Sequence, residues 1–310
     1  MLLSTASKSI ISTQPGHSPE DVPRSIMRKA LIPAERRREI RDYLQVHQIA
    51  QIASLSSLLM ASEATIRRDL EWLEQQGIVE RTHGGAILTQ RLPTEPAYAH
   101  SAQAHPEEKR RIGLTAAALV KDGDTIFVNS GTTATQVVHH LVARTDLYNV
   151  SVITNNVTAA LGVTQAGFEV ILLGGYFRPL ATSVFGHFAT ATLRQLAADK
   201  AFIGVDGITL KYGCTTPASA EAEIAQVMIE RTHGPVIVVA DHSKWGVVSN
   251  FEITSLEQVH TLVVDDGLAP EYRTALEARS VRVLVADGSP GAARAAESIP
   301  AAERLHAPLR

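Results

Sequence analysis

The sequence predicts an α/β protein of two domains, a small helical domain followed by a larger one with a mainly parallel sheet. Between residues 33 and 75, apolar residues recur every three or four positions, as on the buried face of a helix. From residue 107 onward, seven short runs rich in β-branched residues alternate with helical stretches, and strands separated by helices pair in parallel. The segment 91–106, which contains three prolines, lies between the two patterns and is expected to be a linker.

Three helices are expected in the first domain, over residues 33–45, over 53–59 and from Ser62, whose hydroxyl is a good N-cap. Residues 60–61 leave room only for a tight turn, so the second and third helices form a helix-turn-helix. In the third helix, Ile66, Leu70 and Leu73 recur on one face and are expected to pack in a core.

A β-hairpin is expected behind the third helix. Gly77 ends that helix, and the run IVERTHGGAIL (78–88) alternates around two glycines. A hairpin in this position is the wing of a winged helix-turn-helix domain, which we place at residues 33–90.

The outward face of the third helix carries Thr65, Arg67 and Arg68 within its first two turns. A helix end of this kind can enter a major groove and bring guanidinium groups to phosphates or to guanine O6 and N7. The alternatives are ordinary solvated charge for the two arginines and a role in starting the helix for the threonine. The candidate DNA-binding residues, with the wing included, are Ser62, Thr65, Arg67, Arg68, Arg81 and His83.

Charge balance alone would miss such a surface. The chain has a net charge of -3, and residues 33–90 contain seven Arg, no Lys and eight acids. Attraction to phosphate therefore depends on placement. The run of three arginines at 36–38 either shares the face of Arg67 and Arg68 or is a solvated surface.

Several classes of protein are not supported by the sequence. Cys214, the one cysteine, cannot form an internal disulfide, and no apolar run approaches the roughly 18 residues that span a bilayer. His139 and His140 are adjacent on a helix and point about 100° apart, which is poor metal geometry, and motifs of zinc proteases, hydrolases and P-loop enzymes are missing. We expect a soluble cytoplasmic protein with no membrane partner, no cofactor, no metal and no enzymatic activity.

The first domain resembles the DeoR family of bacterial transcriptional regulators. The matching stretches are SEATIRRDL (62–70), EQQG (74–77) and RTHGGA (81–86). Met60 departs from the family, in which many relatives have Gly in the turn. If that position requires positive φ, Met60 is strained by roughly 1 kcal/mol.

In the second domain, at residues 107–286, the predicted strands form a sheet covered by helices on both faces. Small and polar residues follow five of the strands, at the edge where open α/β sheets bind ligands. The predicted strands are residues 125–129, 150–154, 169–173, 201–205, 236–240, 261–265 and 281–285. The segments that follow them are SGTT (130–133), TNN (154–156), GG (174–175), DG (206–207) and DHSK (241–244).

The run SGTT opens a helix, so backbone N–H groups, hydroxyls and the positive end of a helix dipole converge on one place. This arrangement suits an anion such as phosphate, although a plain N-cap is the alternative. Lys244 and Arg178 could add positive charge, whereas Asp206 and Glu221 could accept hydrogen bonds from sugar hydroxyls. The combination indicates a phosphorylated sugar or polyol.

This half also resembles the DeoR-family sensor domain, which is related in fold to ribose-5-phosphate isomerase. The resemblance covers residues 108–265 and adds the matches at 154–155, 174–175, 215–216 and 241–244. Two departures affect ligand choice, Asn129 in place of a frequent Asp and Ala225 in place of a frequent Lys or Arg. The candidate effector-binding residues are Ser130, Gly131, Thr132, Thr133, Asn155, Gly175, Arg178, Asp206, Glu221 and Lys244.

The resulting hypothesis is a transcriptional regulator, a repressor of carbohydrate metabolism genes, that binds double-stranded operator DNA as a homodimer or homotetramer and is modulated by a phosphorylated sugar. The alternative is a sugar-phosphate isomerase-like enzyme with an accessory DNA-binding domain, because Asp206 or Glu221 could act as a base beside a bound phosphate. Residues 1–32 and 287–310 are expected to be mostly disordered tails.

Overall fold

The computed structural model of the chain describes residues 31–82, 84–163 and 168–288. His83, one of the candidate DNA-binding residues, lies outside the described residues, as do nearly all of the two predicted tails.

The first domain is a three-helix unit with a small antiparallel sheet. The predicted helices and the predicted hairpin are confirmed, and a three-residue strand before the second helix joins the hairpin to give the strand order β1-β3-β2. The elements are α1 (Pro33–His47), β1 (Ile49–Gln51), α2 (Ile52–Leu59), α3 (Glu63–Gln75), β2 (Val79–Arg81) and β3 (Gly85–Leu88). The core holds the expected faces of α1 and α3, including Ile40, Leu44, Ile66, Leu70 and Leu73.

Local chemistry fixes the turn between α2 and α3. Met60 has φ 49°, in the left-handed region. The turn therefore does require the positive φ that strains a non-glycine residue. Ser62 caps α3, because its hydroxyl accepts a hydrogen bond of 3.2 Å from the backbone N–H of Thr65. The turn and the cap together set the angle at which α3 leaves α2.

A buried acid connects α1 to α3. Asp69 is 1% exposed, and its two carboxylate oxygens accept hydrogen bonds from Arg36 Nε at 2.5 Å and from Arg37 Nε at 2.8 Å. Only Arg38 of the predicted arginine run is well exposed, beside Asp42 at 3.6 Å. Arg36 and Arg37 are therefore neither a solvated surface nor a free DNA-facing pair, because α1 uses them to bind α3.

The segment predicted as a linker, residues 91–106, contains regular structure. A two-residue strand, β4 (Gln90–Arg91), leads into it, and a short helix, α4 (Tyr98–Gln103), lies within it. Residues 92–97, between these two elements, are called the connecting segment below.

The second domain is built on seven parallel strands, all seven predicted from the sequence to within one residue at each end. Its elements are α5 (Pro106–Ala117), β5 (Thr125–Val128), α6 (Thr132–Val142), β6 (Ser151–Thr154), α7 (Val157–Gly162), β7 (Glu169–Leu172), β8 (Tyr176–Arg178), β9 (Ser183–Phe185), α8 (His187–Leu193), β10 (Lys200–Gly204), β11 (Gly207–Thr209), β12 (Gly213–Thr216), α9 (Ser219–Glu230), β13 (Val236–Val239), β14 (Val247–Val248), β15 (Phe251–Thr254), β16 (Thr261–Asp265), α10 (Pro270–Glu277) and β17 (Arg282–Ala286).

The strand order is β17-β16-β13-β10-β5-β6-β7, so successive strands move outward in opposite directions from the β5–β10 pair. Two apolar clusters, one on each face, cover this sheet. The point where the strand order reverses is where doubly wound sheets leave a crevice beyond their carboxyl ends.

Asn129 closes the sheet at the reversal point. Its side chain donates to Gly204 O at 2.9 Å and accepts from Gly204 N at 2.7 Å, so one amide completes the β5–β10 pairing. An aspartate could only accept, which gives the asparagine a structural reason at this position. Ala225, the other departure from the family pattern, is fully buried in an apolar cluster under α9.

Smaller sheets surround the carboxyl edge. Strands β11, β12 and β15 form an antiparallel sheet, β8 and β9 form a hairpin, and β14 pairs in parallel with β4. The β4–β14 pair joins the strand that leaves the first domain to a strand that begins three residues after Lys244.

Candidate functional site

An open cleft of about 660 Å³, its mouth included, lies beyond the carboxyl ends of β5 and β10. Seven of the ten candidate effector-binding residues line it, which are Ser130, Gly131, Thr132, Thr133, Asp206, Glu221 and Lys244. The remaining three, Asn155, Gly175 and Arg178, do not line the cleft.

The start of α6 forms one wall. Gly131 precedes the first turn with φ 127°, a conformation that residues with a side chain rarely adopt. This lets the chain turn directly from β5 into an eleven-residue helix whose first N–H groups, unpaired within the helix, lie at the cleft. The wall therefore offers backbone donors together with the side chains of Thr132 and Thr133.

Glu221 lines the cleft beside Ser130 and is 6% exposed. Its carboxylate accepts hydrogen bonds from Ser130 Oγ, from Ser183 Oγ at 2.5 Å, from Asn155 Nδ2 at 3.4 Å and from Arg178 Nη1 at 3.4 Å. Asn155 and Arg178 thus contact Glu221 without lining the cleft themselves. In this structure they orient a cleft carboxylate.

Gly175 has a steric role. Its φ is 154°, and a Cβ added there would lie 2.5 Å from the backbone oxygen of Phe185. Glycine at this position allows the chain entering β8 to approach β9, and β8 carries Arg178 toward Glu221.

Asp206 and Lys244 add a carboxylate and an ammonium group to the cleft lining. Asp206, half-buried after β10, accepts a hydrogen bond of 2.8 Å from Thr216 Oγ1. Lys244 ends a short 3-10 helix capped by Asp241, which accepts from Ser243 N at 3.0 Å. The cleft therefore has donors and a cation along α6 and Lys244, and hydrogen-bond acceptors along Asp206 and Glu221.

Glu95, on the connecting segment, also lines the cleft and was not anticipated from the sequence. It forms an ion pair with Arg178, and burial raises the pKa of its carboxyl although the nearby Arg178 guanidinium opposes that shift. One signal was present, since Glu95 is the only Asp, Glu, Lys or Arg between residues 92 and 106. The stretch was predicted to be a linker because it holds three prolines among small polar residues.

The outward face of α3 is arranged as the sequence predicted. Arg67 and Arg68 are exposed, and Arg67 contacts only the exposed Glu63, at 3.3 Å, among the ion pairs found in the described residues. Thr65 is half-buried, with its hydroxyl 2.9 Å from Ser62 Oγ. Arg81 of the wing lies 3.7 Å from Glu74 on α3, so the wing and the helix are in contact.

Neither a membrane-spanning helix nor a metal-binding cluster occurs in the described ranges 31–82, 84–163 and 168–288. No helix there is both long enough and apolar enough to cross a membrane. No group of three or more His, Cys, Asp or Glu side chains there is placed to hold a metal ion.

The solved structures named here are distantly similar to this chain. Ribose 5-phosphate isomerase A from Methanocaldococcus jannaschii is 19% identical, with a TM-score of 0.35 over 46% of this chain and 55% of that one. The sorbitol operon regulator SorC from Klebsiella pneumoniae is 13% identical, with a TM-score of 0.33 over 66% of this chain and 88% of that one.

Comparison with known sequences is more decisive. The family model of the DeoR-like helix-turn-helix domain matches residues 36–91, and that of the DeoR C-terminal sensor domain matches residues 104–266. The HTH-type transcriptional regulator GlpR of Haloferax volcanii is 32% identical over 82% of this chain and 98% of its own length. The HTH-type transcriptional repressor GlcR of Bacillus subtilis is 32% identical over 83% and 98%. A putative aga operon transcriptional repressor of Escherichia coli O157:H7 is 31% identical over 81% and 93%. The chain therefore belongs to the DeoR family of transcriptional regulators.

Proposed function

We propose that the protein is a sequence-specific repressor of carbohydrate metabolism genes whose affinity for operator DNA is modulated by a phosphorylated sugar or polyol bound in the cleft. The observation that carries the DNA-binding part is the exposed pair Arg67–Arg68 at the start of a capped helix whose opposite face is fully packed. Two of the relatives, GlcR and the aga operon protein, are named as repressors.

The chemistry of the cleft supports the effector class. The first turn of α6 and Lys244 present N–H groups and a cation, which favour a phosphate. Asp206 and Glu221 present carboxylate oxygens, which accept hydrogen bonds from hydroxyls. A small molecule with a phosphate at one end and several hydroxyls along its length matches both sides.

The proposal also includes a symmetric oligomer. Helix-turn-helix proteins usually read two half-sites about one helical turn apart, so we propose that the protein binds its operator as a homodimer or homotetramer. Each ligand then affects the other through its different affinity for two arrangements of the DNA-binding domains.

The alternative function, a sugar-phosphate isomerase, requires a carboxylate that is free to remove a proton from a carbon atom of the substrate. The carboxylate of Glu221 is already hydrogen bonded by four side chains, and that of Asp206 accepts from Thr216. These contacts favour binding over proton transfer.

The test is a gel shift with DNA from upstream of the protein's own and neighbouring genes, at one fixed salt concentration, with and without a panel of sugar phosphates. Salt must stay constant because protein–DNA affinity falls steeply as it rises. We expect specific binding that one phosphate ester weakens. Specific binding without any response would remove the effector from the proposal, and turnover of an aldose phosphate without specific DNA binding would replace it with the isomerase.

A further inference from the structure

The chain that links the two domains forms part of the cleft wall. β4 pairs with β14, and Leu92 N donates to Val248 O at 3.0 Å, so the start of the connecting segment lies along the strand that follows Lys244. Three residues later Glu95 lines the cleft itself. Anything that fills the cleft must therefore meet a segment attached to the DNA-binding domain.

Glu95 covers a cation. Its carboxylate is paired with the guanidinium of Arg178, and the two side chains are 14% and 21% exposed. Glu95 lines the cleft whereas Arg178 does not, so the carboxylate stands between the cation and the cavity. Without Glu95 in this position, Arg178 would face the cleft.

Arg178 also lies close to the expected phosphate position. Its Nη1 contacts Glu221 Oε1 at 3.4 Å, while Ser130 Oγ contacts the other oxygen of the same carboxylate. One carboxylate group therefore separates Arg178 from the first residue of the SGTT run. An anion seated on the start of α6 is within reach of the guanidinium once Glu95 moves.

The charge arrangement favours exchange. Arg178 lies between two carboxylates, Glu95 and Glu221, and one guanidinium cannot balance both. Glu95 is also held where burial raises its carboxyl pKa, so it regains hydration on leaving. A phosphate can accept a bidentate pair of hydrogen bonds from arginine. We therefore expect a phosphate to displace the Glu95 carboxylate from Arg178.

We propose that Glu95 is a tethered competitor of the effector. It occupies the place on Arg178 that the anionic group of the effector takes, and its displacement frees the connecting segment and with it the position of the DNA-binding domain. This inference rests on the proposed function, because it names the residue through which effector binding reaches the DNA-binding domain.

The test variant is Glu95→Gln, which keeps the size of the side chain and removes its charge. The matched control is Glu107→Gln on α5, the same substitution at an exposed glutamate that is paired with Arg110 and absent from the cleft lining. Circular dichroism and urea unfolding check that each variant is folded.

Two readouts are compared among the wild type and both variants. Calorimetric titration with inorganic phosphate and with glucose 6-phosphate measures binding at the cleft, and operator gel shifts with the sugar-phosphate panel measure coupling. In Glu95→Gln we expect about tenfold tighter binding of the anion and a smaller effect of the effector on operator affinity, with Glu107→Gln like the wild type.

The outcomes separate this inference from the proposed function. Equal anion affinity and equal operator response in the wild type and Glu95→Gln would overturn the role of Glu95 and leave an effector-responsive repressor. Absence of binding and response to every phosphate in all three proteins would overturn both the role of Glu95 and the effector part of the proposed function.

Discussion

At the scale of single residues, two arginines on α3 have the clearest consequence. Replacing Arg67 by alanine removes an exposed guanidinium whose one ion pair, with Glu63, is of the surface kind that contributes little to stability. We expect operator affinity to fall by about 1 to 3 kcal/mol with no change in unfolding free energy, measured by fluorescence anisotropy and urea titration. Arg110→Ala, in a similar exposed pair with Glu107 on α5, is the control and should bind operator normally.

Lys244 gives a second prediction at this scale. Lys244→Gln removes the cation from the cleft, so sugar-phosphate affinity should fall about tenfold while operator affinity without ligand is kept. Exposed Lys121, changed in the same way, should leave both affinities unaltered. Loss of operator affinity alone in Lys244→Gln would show that the lysine serves the fold of the β4–β14 region instead.

The sequence predicted these residues unevenly. Residues directly after strands β5 and β10 were found because the carboxyl ends of parallel strands meet at one edge. Asn155 and Arg178 were also expected to line the cleft, yet they contact Glu221 and do not line it, since the position of a residue at a strand end does not tell which side chain reaches the cavity. Glu95 was missed because its segment follows no strand of the main sheet.

At the scale of elements, the packing of α1 on α3 depends on one acid. Asp69→Ala would leave Arg36 and Arg37 partly buried without their partner, and breaking a buried ion pair from one side costs about 3 kcal/mol or more. Hydrogen exchange should show loss of protection in α1 and α3 with the large sheet unaffected. Asp42→Ala, an exposed acid on α1 that is 3.6 Å from Arg38, should show no such loss.

Long elements were predictable and short ones were not. The seven strands of the parallel sheet are four or five residues long, and each carries at least three consecutive apolar or β-branched positions, so their limits are visible in the sequence. Strands such as β1, β4 and β14 have two or three residues, too few for any period to emerge. Their pairing depends on tertiary contacts, and the β4–β14 pair could not be expected from either partner alone.

At the scale of the whole molecule, Glu80 connects the two domains. It lies on β2 of the wing, is 5% exposed, and accepts a hydrogen bond of 2.6 Å from Lys211 N in the second domain. Burial raises its pKa from 4.5 to about 7, although the backbone hydrogen bond from Lys211 and the charge of Arg279 oppose the shift.

A raised carboxyl pKa means that the folded protein holds a proton more tightly than the unfolded chain. The contribution of Glu80 to stability should therefore be fully present below pH 4.5 and be lost as the pH rises through about 7. Over this range the free energy of unfolding should fall by at most about 1.4 kcal/mol per pH unit. We expect Glu80→Gln to remove this loss and to be more stable than the wild type at pH 8. Urea unfolding of both proteins between pH 5 and 8 measures it, and parallel curves would contradict the assignment.

The central claim is that one molecule couples operator DNA to a sugar phosphate, and coupling between two ligands is reciprocal. The direct measurement is a pair of titrations with the effector found in the gel-shift panel: operator affinity with and without that ester, and ester affinity with and without operator DNA. We expect both affinities to fall by the same factor, about 5- to 150-fold. Two affinities that do not depend on the presence of the other ligand would contradict the claim, even if each ligand binds tightly.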